Sequence, residues 1–178
     1  MADDIYEGLE ESNIVLPEEE NPLRNELNTS PNIKIALSGV VTELKKNRAR
    51  TKLFTSDEMV CDNEGLVHSG FVISAANYAA LAAINETYAI TINSRINLFG
   101  PAKLGDVVEF DASAHFDESR KREVRVIGRI KDIKVFEGTF SVVVLEEHIF
   151  LAQKKNIQKE GSIRRAKERE KDQEKAQG

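Results

Sequence analysis

The chain has 178 residues, 40 % of them apolar, with no Trp, eight Phe and a net charge of −5. A single cysteine, Cys61, excludes an intramolecular disulfide and a thiolate zinc cluster, and the histidines at 68, 115 and 148 lack metal-ligand spacing. Charge is polarised, with nine acids against Arg24 in residues 1–31, nine bases against five acids in residues 152–178, and a nearly neutral centre, which excludes general DNA binding. The start, Met1-Ala-Asp-Asp-Ile5, is too acidic for a signal or transit peptide, so a cytoplasmic location is expected. Residues 1–32 read as an acidic arm with Pro17, Pro22 and Pro31, whose Ile14, Val15 and Leu16 need cover.

From Leu37 the pattern has period two, setting Gly39, Val41 and Glu43 opposite Val40, Thr42 and Leu44. That predicts a strand, with Ala49–Thr55 pairing back across the basic turn at Lys45–Arg48. Asp57–Glu64 is polar and turn-like. Gly65-Leu-Val-His68-Ser69-Gly70 then opens a run holding Ala75, Ala76, Ala79, Ala80, Ala82 and Ala83. Alanine is the best helix former, and small residues on nearly every side predict an enclosed helix over Ser69–Glu86. Ser74, Asn77, Tyr78 and Asn85 interrupt it, so a membrane span is not expected.

Strands follow without another helical pattern. Tyr88–Phe99 alternates Ile90, Ile92, Ile96 and Leu98 against Thr91, Asn93, Arg95 and Asn97. Gly105-Asp106 leads into a strand with Val108, Phe110, Ala112, Ala114 and Phe116 on one face. Arg122–Ile130 and Lys134–Leu145 complete the set, with a tight return at Asp132. Alternating antiparallel strands need one covered face, and the buried helix is the cover. The expected architecture is α+β, one curved antiparallel sheet wrapped around one long helix. It occupies residues 33–151, ahead of a charged tail at 152–178 that is helix-prone, lacks an apolar stripe and is broken at Gly161.

Two strands, a helix opened by His68-Ser69-Gly70, and further antiparallel strands resemble the hotdog-fold thioesterase superfamily over about Leu37 to Glu147. Asn77-Tyr78-Ala-Ala within the helix and Phe99-Gly-Pro-Ala-Lys103-Leu-Gly105-Asp106 at a strand turn carry the same likeness. Hydrolytic members of the phenylacetate type hold an acid nine residues after the histidine, where this chain has Asn77. The chain also resembles the acyl-coenzyme A-binding effector domain of a bacterial repressor of fatty-acid synthesis. It shares the Ala-Asn pair, and Val135-Phe-Glu-Gly138-Thr-Phe140 matches a strand of that domain. That domain presents an Arg where this chain has Asn97, with Arg95 two residues earlier, and its DNA-binding module has no counterpart here. More loosely, the chain is similar to small hotdog proteins co-regulated with bacterial flagella and linked to virulence.

The resemblance implies an acyl-coenzyme A ligand and a homodimer, with no metal, no further cofactor and no DNA. A helix N-terminus offers unpaired N–H groups and partial positive charge, and Gly70 would admit a thioester carbonyl to them. The plainer reading has Ser69 capping the helix and Gly70 relieving packing. His68 is either an acyl or pantetheine contact and weak base or a capping histidine, and Phe71 follows it along the same slot. Asn77 bonds a strand or partner, or points into the slot; an amide orients a water but cannot take its proton. Glu64 is the substitute base nearest the helix. Lys103 and the Arg120-Lys121-Arg122 turn are the cations for coenzyme A phosphates. The leading expectation is a non-catalytic or weakly catalytic acyl-coenzyme A-binding dimer acting as a sensor. The alternatives are a true thioesterase and an interaction module that uses its charged tails.

Overall fold

The computed structural model of the protein describes residues 23–115 and 119–176. Ile14, Val15 and Leu16 of the acidic arm, and Phe116, lie outside the described residues. The chain divides into two compact units between Val144 and Leu145.

In the first unit a strap from Leu23 leads into a short helix α1 (Ile35–Ser38). Strands β1 (Val40–Lys45) and β2 (Arg48–Phe54) form a hairpin, and helix α2 (Ser69–Ile84) follows. Then come β3 (Ala89–Leu98), β4 (Val107–Ala114), β5 (Lys121–Ile130) and β6 (Ile133–Val144). All pairings are antiparallel, in the order β1-β2-β4-β5-β6-β3, so β3 is an edge despite its central place in the chain. The hotdog architecture read from the chain is the one observed.

Helix α2 is buried on almost every side, through Val72, Ala75, Ala76, Tyr78, Ala79, Ala80, Ala82, Ala83 and Ile84. It packs on β2, β4 and β5, with α1 against it as well. Methyl-sized side chains let the sheet approach its backbone, which is why alanines dominate. The helix ends two residues before the expected Glu86, because Asn85 turns left-handed at φ 52°. Asn85 also buckles the strap down. It accepts from the Asn28 N–H at 2.7 Å and donates through Nδ2 to the Glu26 carbonyl at 2.9 Å.

The inner face of the sheet is aromatic at its centre. Phe110, Phe136 and Phe140 are fully buried and consecutive rings lie 5.9 and 6.5 Å apart. Gly128 and Gly138 make the room: a Cβ on Gly128 would sit 2.9 Å from Phe110, and one on Gly138 the same distance from Phe136. The β5–β6 turn is tight, as expected, with Lys131 and Asp132 both at positive φ.

Strand β3 departs from the expected phase. A bulge between Thr91 and Asn93 takes Ile92 out of register. Beyond it Ser94, Ile96 and Leu98 pair with Phe140, Gly138 and Phe136, while Thr91 pairs with Val142, so all four share the inner face. Ile90, Asn93, Arg95 and Asn97 face outward. The expected Ile face is thus corrected: one extra residue exchanges the faces of everything on one side of it.

The outer face is laced by ion pairs. Arg48 and Arg50 both reach Asp111, at 2.7 and 3.3 Å, and Arg125 and Lys134 both reach Glu137. Partial burial pushes the Asp111 carboxyl up, but hydrogen bonds and charge from Arg48 and Arg50 outweigh it and hold it below the usual range. Lys134 and Arg125 hold Glu137 low in the same way, and Lys45 does so for Glu43. Carboxylates lowered in the fold stabilise it above their unfolded values, near 4, and lose that contribution as pH falls through the lowered folded ones. Urea midpoints are therefore expected to drop below about pH 4. An Arg48→Gln/Arg50→Gln variant should show a smaller drop; an equal drop would count against this assignment.

The second unit is a helix α3 (Ile149–Ala176), exposed along its described surface. It starts three residues before the expected boundary at 152 and runs through Gly161 unbroken, which corrects the expected break there. Glycine costs a helix about 1 kcal/mol, and the Lys-, Arg- and Glu-rich flanks tolerate it. Its apolar residues Phe150, Leu151, Ile157 and Ile163 are exposed and spread around the helix. Among the described residues no helix is long and apolar enough to cross a membrane.

Candidate functional site

The start of α2 is built by two crossing loops. Val67 donates to the Ala102 carbonyl at 3.0 Å, Leu104 donates to Gly65 at 2.9 Å, and Leu66 bridges to Lys103. Thr55 ties the second loop down through the carbonyls of Lys103 and Asp106, both at 2.8 Å. Lys103 therefore stands beside the helix start, with its own N–H held by Asp106.

His68 is the N-cap, not Ser69. Its Nδ1 accepts from the Gly70 N–H at 3.1 Å, and Ser69 is the first helical residue, exposed. Gly70 leaves room for the capping ring: a Cβ there would lie 2.8 Å from that Nδ1, so a side chain would displace the cap. The expectation that Gly70 opens its N–H to a ligand carbonyl is corrected accordingly. With Nδ1 accepting, a neutral imidazole carries its proton on Nε2. The ring is exposed and offers a donor, and its basic nitrogen is spent on the cap. Phe71 packs against the core and lies edge-on to it, with centroids 6.5 Å apart.

Asn77 is half-buried, and its Oδ1 accepts from the Thr91 hydroxyl at 2.5 Å. The side chain is left with its N–H groups to offer. Thr91 escapes a strict alternation reading, because that reading faces it outward; the bulge at Ile92 is what turns it inward. A polar residue on an alanine helix needing a partner on the next strand was the available signal.

The remaining residues fall apart from these. Glu64 is exposed in a turn where its N–H and that of Leu66 bind Asp62, ahead of the cap in the chain. Arg120 and Arg122 stand at the opposite end of α2. Arg120 Nε reaches the Val144 carbonyl at 3.4 Å, and Arg122 lies 3.5 Å from Glu86. One helix length, about 24 Å, separates them from His68 of their own chain. His68, Ser69, Gly70, Phe71 and Lys103 thus form one cluster, Asn77 with Thr91 a second, and the arginines a third.

The solved structure of Cj0977, a sigma28-regulated virulence protein from Campylobacter jejuni, is 47 % identical at a TM-score of 0.71. The match covers 72 % of this chain and 91 % of that one. The chain belongs to the hotdog-fold thioesterase superfamily. Within this superfamily, a mutant of the phenylacetic acid degradation protein PaaI from Thermus thermophilus is 27 % identical, with a TM-score of 0.56. Its match covers 62 % of this chain and 96 % of that one. The smu.793 protein of Streptococcus mutans, solved with acetyl CoA, shares the hotdog fold at 20 % identity and a TM-score of 0.58, over 66 % and 96 % of the two chains. A curated relative, methylthioribose-1-phosphate isomerase of Aquifex aeolicus, is 31 % identical over 132 residues. That stretch is 74 % of this chain but only 29 % of the isomerase's length. No family model matches the chain.

Proposed function

We propose that this hotdog protein binds an acyl-coenzyme A thioester in a slot shared by two subunits, and hydrolyses it feebly or not at all. The observation that carries the reading is the Thr91–Asn77 hydrogen bond. It leaves Asn77 as a donor where hydrolysis needs a base. The exposed Nε2 edge of His68 is a donor for the same reason. Two donors suit a thioester carbonyl, and neither activates water. The acetyl CoA held by smu.793 supports this class of ligand at the level of the fold.

His68 and Asn77 are nine residues apart along α2, about 13 Å, too far to meet on one carbonyl within a chain. Strand β3 is an open edge whose Ile92 and Leu98, and Phe99 just after it, are each about half exposed. Such an edge seeks a partner, and two-fold pairing with a second β3 is the symmetric solution. Pairing centred between Ser94 and Arg95 would set the partner's Thr91 across from Leu98, and so bring the partner's Asn77 toward His68. A sensor or regulator of acyl-coenzyme A levels is the role that fits binding without turnover.

Calorimetry with acetyl- and malonyl-coenzyme A, run beside a thiol-release assay, tests the reading. Saturable binding with negligible turnover, weakened about tenfold by His68→Ala, is expected. Rapid turnover by the unaltered protein would favour a thioesterase instead.

A further inference from the structure

At the C-terminal end of α2 lies a cleft of about 630 Å³, walled by Lys45, Lys46, Asn85, Glu86 and Arg122, with Glu26 of the strap. Its volume is in the range of small-molecule sites. Arg122 is the unusual member. Its Nε is buried with no hydrogen-bond partner among the described residues, and its ion pair to Glu86 is long at 3.5 Å. A buried guanidinium N–H left unmade is costly, and a planar fork suits phosphate.

Register fixes where this cleft stands. Arg122 pairs with Val142 and Val142 with Thr91, so the three lie in one row across β5, β6 and β3. Two strand spacings, about 10 Å, separate Arg122 from Thr91. The Ala89 end of β3 adjoins the cleft through Glu86, to which Ala89 donates at 3.3 Å. Under the pairing described above, that end meets the other subunit's loop at Gly100, beside its helix start.

We infer that the cleft of one subunit holds the phosphate-bearing nucleotide end of the coenzyme A whose thioester lies at the other subunit's His68. The inference rests on the shared-slot reading and explains why Arg122, so far from His68 in its own chain, is built into the inner face. The phosphate displaces Glu86 from Arg122 and takes up the orphaned Nε–H, while Lys45, leaving Glu43, and Lys46 close over it from the end of β1 and the turn after it.

Three probes separate the parts: acetyl-coenzyme A, acetyl-pantetheine, which lacks the nucleotide, and adenosine 3′,5′-bisphosphate, which lacks the thioester. Arg122→Gln is expected to weaken acetyl-coenzyme A about tenfold, abolish binding of the bisphosphate and leave acetyl-pantetheine unchanged. A Lys46→Gln variant, altered only in the β1–β2 turn, should show the same pattern more weakly. Unchanged acetyl-coenzyme A affinity in Arg122→Gln, or an equal loss for acetyl-pantetheine, overturns the inference. Failure of acetyl-pantetheine to bind the unaltered protein counts against the slot instead, and the cleft is then judged by the bisphosphate alone.

Discussion

Replacing Asn77 with Asp is expected to raise acyl-coenzyme A hydrolysis about 100-fold, the lower range for a positioned general base. The Thr91 hydroxyl that now donates to Asn77 Oδ1 at 2.5 Å would donate equally well to a carboxylate oxygen. The second oxygen would replace the amide nitrogen, turning a donor into an acceptor at the same point. The carboxylate is an acceptor that can take a proton from water, which the amide cannot, and the Thr91 bond keeps it oriented. Thiol release from acetyl-coenzyme A, followed with and without His68→Ala in the same chain, gives the measurement. The gain should require His68, whose Nε2–H would hold the carbonyl in the proposed slot. A rate unchanged by the new carboxylate would mean that Asn77 does not face the ligand, and Thr91→Val would then affect stability alone.

Truncating Phe136 to Ala is expected to cost about 3–5 kcal/mol. The ring is fully buried between Phe110 and Phe140 and close to Gly128 and Gly138, which offer no side chain to fill the hole. Adding bulk at the same place is also unfavourable. Gly138→Val would push a methyl group into Phe136 and Phe140 and should cost about 1–3 kcal/mol. Denaturant titration at fixed protein concentration reads both as a lower midpoint with an unchanged slope. Near-wild-type stability for Phe136→Ala would mean that these rings do not form the centre of the core.

That core was largely legible in the chain. The spacing Val135-Phe-x-Gly138-x-Phe140 states the packing rule directly: alternate residues share a face, and a glycine between two rings lets both lie flat. The density of alanine over α2 likewise announced a helix approached closely from several sides. What escaped is local and has physical causes. Thr91-Ile92-Asn93 contains no glycine to announce a bulge, so strict alternation carries the phase of β3 one residue too far. His68 caps through Nδ1, which residue type alone does not single out, since a histidine competes poorly with serine as an N-cap. Asn85 did carry a signal, being a residue that tolerates the left-handed region. The separation of Arg122 from His68 could not be read before the register of β5 was known.

In the shared slot proposed above, each site takes its cap histidine from one subunit and its asparagine from the other. Co-expressing a His68→Ala chain and an Asn77→Ala chain under different tags, and purifying the mixed dimer, puts this arrangement to the test. In that dimer one site loses both residues and the other keeps both. Calorimetry is expected to find one acetyl-coenzyme A per mixed dimer at wild-type affinity, while each parent homodimer binds weakly. Weak binding in the mixed dimer as well would contradict a shared site and return both residues to a single chain.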